Sequence, residues 1–228
     1  MKKTLMTAGI LGLSTLSAAS AQASALMKID EATKTILVEA RMVYSGEAAT
    51  PKIAKATTDE IRNMWNEVPT QVQINQSLYN VKFKIDYVID SSMKLSNGSS
   101  CAYNYIEILN KTDPSDRSYY AGLGSQYGVF YTSDDLGHST TSAHEFGHGL
   151  MLDHNDSYQL DAPVPGIMFA RGTLVKPEFQ WNPKANPGEV GGTLNPKHRK
   201  VRSEDIQSIP FKNDSISCIG MGEVKRIK

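Results

Sequence analysis

The chain has 228 residues, with 24 Lys and Arg against 24 Asp and Glu, and 40% of its residues are hydrophobic. This length and apolar fraction suit one domain with a sizeable core. The formal net charge of zero gives no electrostatic reason to expect a nucleic acid or an anionic membrane surface as partner.

The first 25 residues have the composition of a secretory signal peptide. Lys2 and Lys3 precede an apolar run at residues 5–19, and small-x-small tripeptides at 21–23 and 23–25 offer two cleavage sites. The run is short and rich in Ser, Thr and Gly, which favours a signal peptide over a membrane anchor, and no later stretch is apolar enough to span a bilayer. We therefore predict a signal peptide at 1–25 and an exported domain at 26–228, in the periplasm or outside a bacterial cell.

The exported part contains two cysteines, Cys101 and Cys218. In an oxidising compartment two cysteines most simply pair, and the bond would close a long loop of the chain. We predict this disulfide.

The first helix is predicted from a capping pattern and apolar spacing. Residues 45–56 read as a loop, and Thr57 and Glu60 then form a capping-box pattern. Apolar residues recur at helical spacing until Pro69, which ends the helix. One face of this helix should pack on a sheet.

Strands are predicted wherever β-branched or aromatic residues alternate with polar ones. They lie on both sides of the first helix, which gives an α+β domain with a mixed, twisted sheet. The predicted strands are residues 35–44, 71–76, 81–89, 103–109, 118–124 and 127–133.

Four carboxylates lie in the loops around the last strands: Asp113, Asp116, Asp134 and Asp135. Calcium binds oxygen ligands supplied by loops of this kind. Acidic residues in loops also serve as solvated turns and helix caps, so both interpretations stay open.

The residues with the clearest chemistry are His144, Glu145, His148 and His154. On a helix, His144 and His148 lie on one face, so both imidazoles can reach one metal ion. His154 can supply a third imidazole if the helix ends soon after His148 and the chain turns back. Glu145 points about 100° away from His144 around the helix, which suits a base beside a metal-activated water better than a ligand. The pattern predicts a catalytic zinc site. The alternative is an amphipathic helix with surface histidines.

The H-E-x-x-H motif with a third histidine six residues later, followed by Met168 in a turn at residues 165–168, resembles the metzincin zinc endopeptidases. Within them it is most similar to the matrix metalloprotease catalytic domain. The resemblance covers residues 139–170 closely and 35–210 loosely. It implies a single α+β domain with a twisted, mixed five-stranded sheet, an active-site helix, a second packing helix and a C-terminal helix.

The resemblance also assigns roles to single residues. It makes His144, His148 and His154 zinc ligands, Glu145 the general base and Met168 a hydrophobic floor beneath the metal. Some members of the family are kept latent by a propeptide cysteine, but neither cysteine of this chain lies in such a motif.

One position departs from the family. Where the family has glycine three residues after the second histidine, this chain has Met151. A methionine with positive φ is strained by about 1 kcal/mol. We expect either that the turn is kept with Met151 in that strained conformation or that the turn shifts.

The segment at residues 171–200 is rich in Pro and Gly and too long for an ordinary connection. It is either a functional loop or a small insertion. In matrix metalloproteases a shorter segment here walls the pocket for the substrate residue just beyond the scissile bond. After it, Ser203 is predicted to cap a last helix at 204–209 that ends at Pro210.

The function implied is a secreted, zinc-dependent endopeptidase acting on a protein or peptide. The substrate would lie along the sheet edge near residues 118–128, and Glu145 would pass a proton from the attacking water to the leaving amine. One alternative is the metalloprotease A subunit of an exported bacterial toxin that docks on a separate binding subunit. Another is a zinc-binding module without catalysis, against which Glu145 argues.

Overall fold

The structure, a computed structural model, describes residues 24–92, 100–113, 115–155 and 164–219. The predicted signal peptide, apart from its last two residues, lies outside this part. Among the described residues no helix is both long enough and apolar enough to cross a bilayer.

Eight strands form one mixed, curled sheet, with three α-helices around it. The strands pair in the order β3-β4-β2-β5-β7-β6, and β1 and β8 extend the sheet beside β2. β2 pairs in parallel with β4 and β5, and β5 pairs in parallel with β7. The strands are β1 (Ala25–Asp30), β2 (Thr35–Ser45), β3 (Gln71–Ile74), β4 (Ser77–Ile89), β5 (Tyr103–Leu109), β6 (Tyr119–Tyr120), β7 (Tyr127–Tyr131) and β8 (Ile216–Ile219).

The α+β class with a mixed sheet is confirmed, but the predicted number of five strands is wrong. The sequence did not predict β1 or β8. β1 begins at Ala25, inside the stretch assigned to the signal peptide, and β8 is a short strand that pairs only with β1. Both strands are short, and short strands carry too few alternating residues to give a clear pattern.

The helices are α1 (Pro51–Glu67), α2 (Thr141–Gly149) and α3 (Ser203–Gln207). α1 begins before the predicted position, because the Thr50 side chain accepts a hydrogen bond from the Ile53 N–H at 3.3 Å and Pro51 occupies the first turn. The predicted capping box was wrong, since Thr57 and Glu60 both lie inside this helix and are buried.

The start of α3 also differs from the prediction. Ser203 is the first residue of the helix rather than its cap. The Arg202 N–H instead donates to the Asp205 carboxylate at 2.8 Å. The residue that caps α3 is therefore Asp205, which lies in the first turn of the helix itself.

Trp65 connects the sheet to both long helices. Its buried ring lies 5.4 Å from the Phe83 ring on β4 and 6.2 Å from the Phe146 ring on α2, measured between centroids. Its Nε1 donates to the Ala143 carbonyl at 3.1 Å. This single residue of α1 therefore holds α2 in place against the core.

The predicted disulfide is present. Cys101 and Cys218 are bonded, with their Cα atoms 5.8 Å apart. The bond joins the chain just before β5 to β8, across a sequence separation of 117 residues. It fastens a strand that otherwise pairs only with β1.

The first described residues are part of the packed domain. Ser24 and Ala25 are fully buried, and the Ser24 carbonyl accepts a hydrogen bond from Asn104 at 2.8 Å. Cleavage after Ala25 would remove both residues, whereas cleavage after Ala23 would leave them in place.

Residues 171–200 surround a small hydrophobic cluster of their own. Phe169, Val175 and Leu194 form it, with Phe179 packed against them. A short 3-10 turn lies at each end of the segment, at Pro177–Phe179 and Pro196–His198. The segment is folded rather than extended, and both the functional loop and the small insertion stay open.

Candidate metal centre

The side chains of His144, His148 and His154 converge. The Nε2 atom of His154 lies 3.2 Å from that of His148 and 3.2 Å from that of His144. Ligand bonds of 2.0–2.1 Å in a tetrahedral array would separate neighbouring nitrogens by about 3.4 Å. Two of the three separations are thus close to those of ligands to one ion, and the ligand atoms of all three residues lie within 4.8 Å of one another. They form the only group of potential metal ligands found among the described residues.

The other ring nitrogen of two of these histidines is fixed by a backbone carbonyl. His144 Nδ1 lies 2.6 Å from the Ile167 oxygen, and His148 Nδ1 lies 2.8 Å from the Leu152 oxygen. A carbonyl only accepts, so each Nδ1 carries the proton and each Nε2 offers its lone pair. Burial lowers the pKa of both imidazoles. Both are therefore neutral at pH 7, which is the form that binds a metal.

The end of α2 turns the chain back toward the site. The Leu150 N–H donates to the Phe146 carbonyl and the Leu152 N–H to the Gly147 carbonyl, each at 3.0 Å. Met151 has φ +73°, in the left-handed region. The first of the two expectations for this residue is confirmed: the turn is kept, and Met151 adopts the conformation that glycine would adopt without strain.

This conformation predicts the effect of two substitutions. Both Met151→Gly and Met151→Ala remove the half-buried side chain, but only glycine adopts positive φ freely. We expect the free energy of unfolding of Met151→Gly to exceed that of Met151→Ala by about 1 kcal/mol. Urea unfolding of the two metal-free variants measures this difference, and an alanine variant as stable as the glycine variant would show that the turn is not strained.

Met168 lies under α2 in the predicted turn. Its side chain is buried and packs so closely on Gly147 that a Cβ there would overlap its sulfur. Its carbonyl accepts a hydrogen bond from the Asn155 N–H at 3.0 Å. The turn is thereby tied both to the helix that carries His144 and His148 and to the segment that carries His154.

Glu145 lies beside the converging imidazoles without joining them. Its Oε1 atom is 4.0 Å from His144 Nε2, and the residue is only 8% exposed. Burial raises the pKa of Glu145 to about 8, against the opposing effects of Arg199 and of a hydrogen bond from the Tyr120 backbone. In its ionised form, a carboxylate so placed could accept a proton from a water among the three histidines.

The N-terminal end of α2 is capped by a residue that the sequence did not predict for this role. Glu60 of α1 accepts a hydrogen bond from the Ala143 N–H at 3.1 Å, and the Gly137 and Ser142 backbone also reaches it. Its carboxyl oxygen thereby satisfies an N–H group that has no partner within the helix. The sequence does contain a signal for this role, because Glu60 is an acidic residue next to Ile61 on the buried side of α1.

Burial makes the ionised form of Glu60 costly. It raises the pKa of Glu60 from 4.5 to about 7, with backbone hydrogen bonds opposing. The pKa of Glu60 is higher in the folded protein than in the unfolded chain. The contribution of Glu60 to the free energy of unfolding is therefore largest below pH 4.5 and is lost as the pH rises to about 7.

Glu60→Gln should remove this loss. As the pH rises from 4.5 to 7, the free energy of unfolding of the variant should increase relative to that of wild type, by roughly 2 to 3 kcal/mol in total. Denaturant unfolding at several pH values measures the gain, with the exposed Glu178→Gln as control. A difference between Glu60→Gln and wild type that does not change with pH would contradict it.

The four carboxylates considered for calcium do not come together in the described residues. Asp134 binds Arg171 at 2.8 Å and also accepts hydrogen bonds from the Ser118 N–H and hydroxyl, both at 2.8 Å. Asp116 accepts a hydrogen bond from the Asp113 N–H at 3.2 Å, as in a capped turn. Calcium binding therefore stays a prediction, and the described residues contain no cluster of these carboxylates that would support it.

The sheet edge beside the histidines is β6. It is the last strand in the order and runs antiparallel to β7, and no strand in the described part of the chain pairs with its outer edge. The loop that follows β6 contacts α2, where the Gly124 N–H donates to the His148 carbonyl at 2.8 Å. The predicted substrate edge therefore lies next to the histidine cluster.

Comparisons with known proteins do not assign this chain to a family. No protein-family model matches the sequence, and no curated protein matches it. A solved structure described as a chaperone-substrate complex is 14% identical with a TM-score of 0.39, over 76% of this chain and 34% of that chain. This chain thus spans about a third of that chain's length. A likeness at this TM-score supports no conclusion about fold family or function.

Proposed function

We propose that this protein is an exported zinc-dependent endopeptidase of the metzincin type, most similar to the matrix metalloprotease catalytic domain. The observation that supports it is the convergence of three Nε2 atoms, from His144, His148 and His154, beside the buried carboxylate of Glu145. A cluster of surface histidines would need neither the fixed Nδ1 protons nor a neighbouring acid.

The donor set fits zinc. Three neutral imidazoles are the ligands of known catalytic zinc sites that leave one position open. His144, His148 and His154 would hold the zinc, which would supply a Lewis acid for the scissile carbonyl and for the attacking water. Calcium and magnesium prefer oxygen ligands, which this cluster lacks.

Glu145 would act as the general base. Its carboxylate lies within reach of the space in front of the imidazoles and would take a proton from the attacking water. The positive charge of a metal ion held by the imidazoles would favour the ionised form of Glu145, which is the form that accepts the proton. Glu145 would then donate it to the leaving amine.

The substrate would bind as an extended strand on β6. The outer edge of an exposed strand offers backbone N–H and C=O groups to a peptide, independent of its side chains. The Tyr120 backbone in this strand also reaches Glu145. A peptide aligned on β6 would therefore pass directly over the proposed catalytic centre.

Export is part of the proposal. Disulfides form and persist mainly in oxidising compartments, and the bond between Cys101 and Cys218 agrees with the predicted signal peptide. The mature enzyme would work in the periplasm or outside the cell.

Cleavage of a proteome-derived peptide library tests the proposal. The purified exported protein should produce new peptide termini that disappear when a chelator removes the metal and return when zinc is added. Stoichiometric zinc with no cleavage of any peptide would instead identify a zinc-binding module without catalysis.

A further inference from the structure

Asp134 is a buried aspartate at which three segments around the candidate centre meet. One oxygen of its carboxylate accepts hydrogen bonds from the N–H and the hydroxyl of Ser118, both at 2.8 Å. The other oxygen binds the Arg171 guanidinium, also at 2.8 Å. The backbone carbonyl of Asp134 accepts a hydrogen bond from the Ser139 hydroxyl. Asp134 thus joins the start of β6 to the chain just after the turn at 165–168 and to the chain that enters α2.

The position of β6 depends on this junction. In the described part of the chain, two pairs of residues join β6 to β7, which is a short ladder. Ser118 comes immediately before β6 and is buried. Its hydroxyl also accepts a hydrogen bond from the Tyr131 N–H at 2.9 Å, at the end of β7. Ser118 and Asp134 therefore fix the end at which the chain enters β6.

The contacts of Asp134 require a carboxylate. The N–H and hydroxyl of Ser118 and the guanidinium of Arg171 all donate to it. An ionised carboxylate has only acceptors, whereas an asparagine side chain has one acceptor oxygen and an NH₂ group that would face a donor. Burial raises the pKa of Asp134, but the hydrogen bonds from Ser118 and the charge of Arg171 outweigh it and lower the pKa below its ordinary value. Asp134 is therefore ionised at neutral pH.

We propose that Asp134 is a positioning residue that holds β6 where the backbone of an extended substrate can pair with it. This inference rests on the endopeptidase function proposed above. Arg171 follows Met168 by three residues, so the same carboxylate also ties β6 to the turn that packs under α2. The strand that binds the peptide is thereby placed relative to the centre that cleaves it, and Asp134 acts through Ser118 rather than on the reacting atoms.

Asp134→Asn should weaken substrate binding without slowing the chemical step. The single acceptor of asparagine cannot serve both Ser118 and Arg171, so the entry to β6 is released. Backbone hydrogen bonds along a strand edge are made in the ground state and in the transition state alike, and their loss raises KM with kcat unchanged. We expect zinc content to stay at the wild-type level, because the three histidines do not contact Asp134.

Two peptides that differ only in their backbone test the inference. One is a substrate of the zinc-loaded protein, and the other carries methyl groups on the backbone nitrogens that flank the scissile bond but not on the scissile nitrogen itself. A methylated nitrogen cannot donate a hydrogen bond to a strand edge, so methylation should raise KM of wild type by about 10-fold. In Asp134→Asn, KM of the unmethylated peptide should rise by about 10-fold, and methylation should then add less than about 3-fold.

A general loss of stability would not give this pattern. It would reduce the active fraction for both peptides alike and leave the ratio of their KM values unchanged. Asp86→Asn is the matched control, because it breaks another Asp–Arg pair, with Arg41 at 2.7 Å between β2 and β4, and it should keep the wild-type ratio. Circular dichroism shows whether each variant is folded. If Asp134→Asn does not fold, Ser118→Ala removes a single hydroxyl and should lower the ratio in the same direction by a smaller factor.

Each contrary result has a distinct meaning. A wild-type KM ratio in a folded Asp134→Asn, or in Ser118→Ala if the first variant does not fold, would overturn the role of Asp134. Equal KM values for the two peptides in wild type would overturn it as well, because the substrate would then not pair with β6. No cleavage of any peptide by the zinc-loaded protein would instead refute the endopeptidase function, and this role with it.

Discussion

Glu145→Gln is expected to abolish peptide cleavage while the protein keeps its zinc. General acid–base groups contribute about 10²–10⁴-fold to the rate, so kcat/KM should fall by at least 100-fold. The variant should still bind zinc, because Glu145 is not one of the three converging residues. Its Oε1 atom lies 4.0 Å from His144 Nε2.

The glutamine variant isolates the proton-transfer role. Its side chain has nearly the same shape as that of Glu145, so the packing around this buried residue is preserved. It cannot take up a proton from water at neutral pH. A structural role would therefore survive the change, whereas a role as base would not.

The measurement is kcat/KM on one peptide together with zinc content by mass spectrometry. Glu178→Gln makes the same chemical change at an exposed site and should behave as wild type. If Glu145→Gln cleaves as fast as wild type, another group is the base, and the mechanism proposed for Glu145 is wrong.

His154→Ala is expected to lower the zinc affinity by more than about 100-fold, because removing only an outer-shell partner of a zinc ligand already costs about 10–100-fold. His154 is the exposed member of the trio. It is also the proposed ligand whose position depends most on the fold, because the reversal of the chain at Met151 brings it to the other two.

His138→Ala is the matched control. His138 is exposed like His154 and lies close to α2 in the sequence, but it does not belong to the converging group. Both substitutions remove an exposed imidazole, so any general effect of losing one is shared.

Zinc should also stabilise the folded protein by mass action. We expect added zinc to raise the Tm of wild type and of His138→Ala but not that of His154→Ala. Equal zinc affinity in His154→Ala and His138→Ala would show that two imidazoles are sufficient and that the third was wrongly assigned.

The parts of the site that the sequence predicted are those that depend on local geometry. The spacing of His144 and His148 determines that both lie on one helix face, whatever the helix packs against. The positive φ of Met151 follows in the same way from the need to end α2 and return toward His154. The strand at Tyr103–Leu109 had the predicted bounds because it is rich in aromatic and β-branched residues.

The parts that the sequence did not predict depend on contacts between distant segments. Glu60 caps a helix 83 residues further along the chain, and its local neighbours suggested a capping box in α1 instead. Arg199 lies in a segment rich in Pro and Gly, where no periodic pattern shows which side chain is buried. Only the packing of that segment on α2 and on the turn at residues 165–168 reveals it.

X-ray absorption at the zinc edge of the purified exported protein tests the central claim most directly. The three-histidine site predicts a spectrum with three imidazole nitrogens at about 2.0–2.1 Å. A spectrum that fits only two imidazoles, or a protein that binds no zinc at neutral pH, would contradict it.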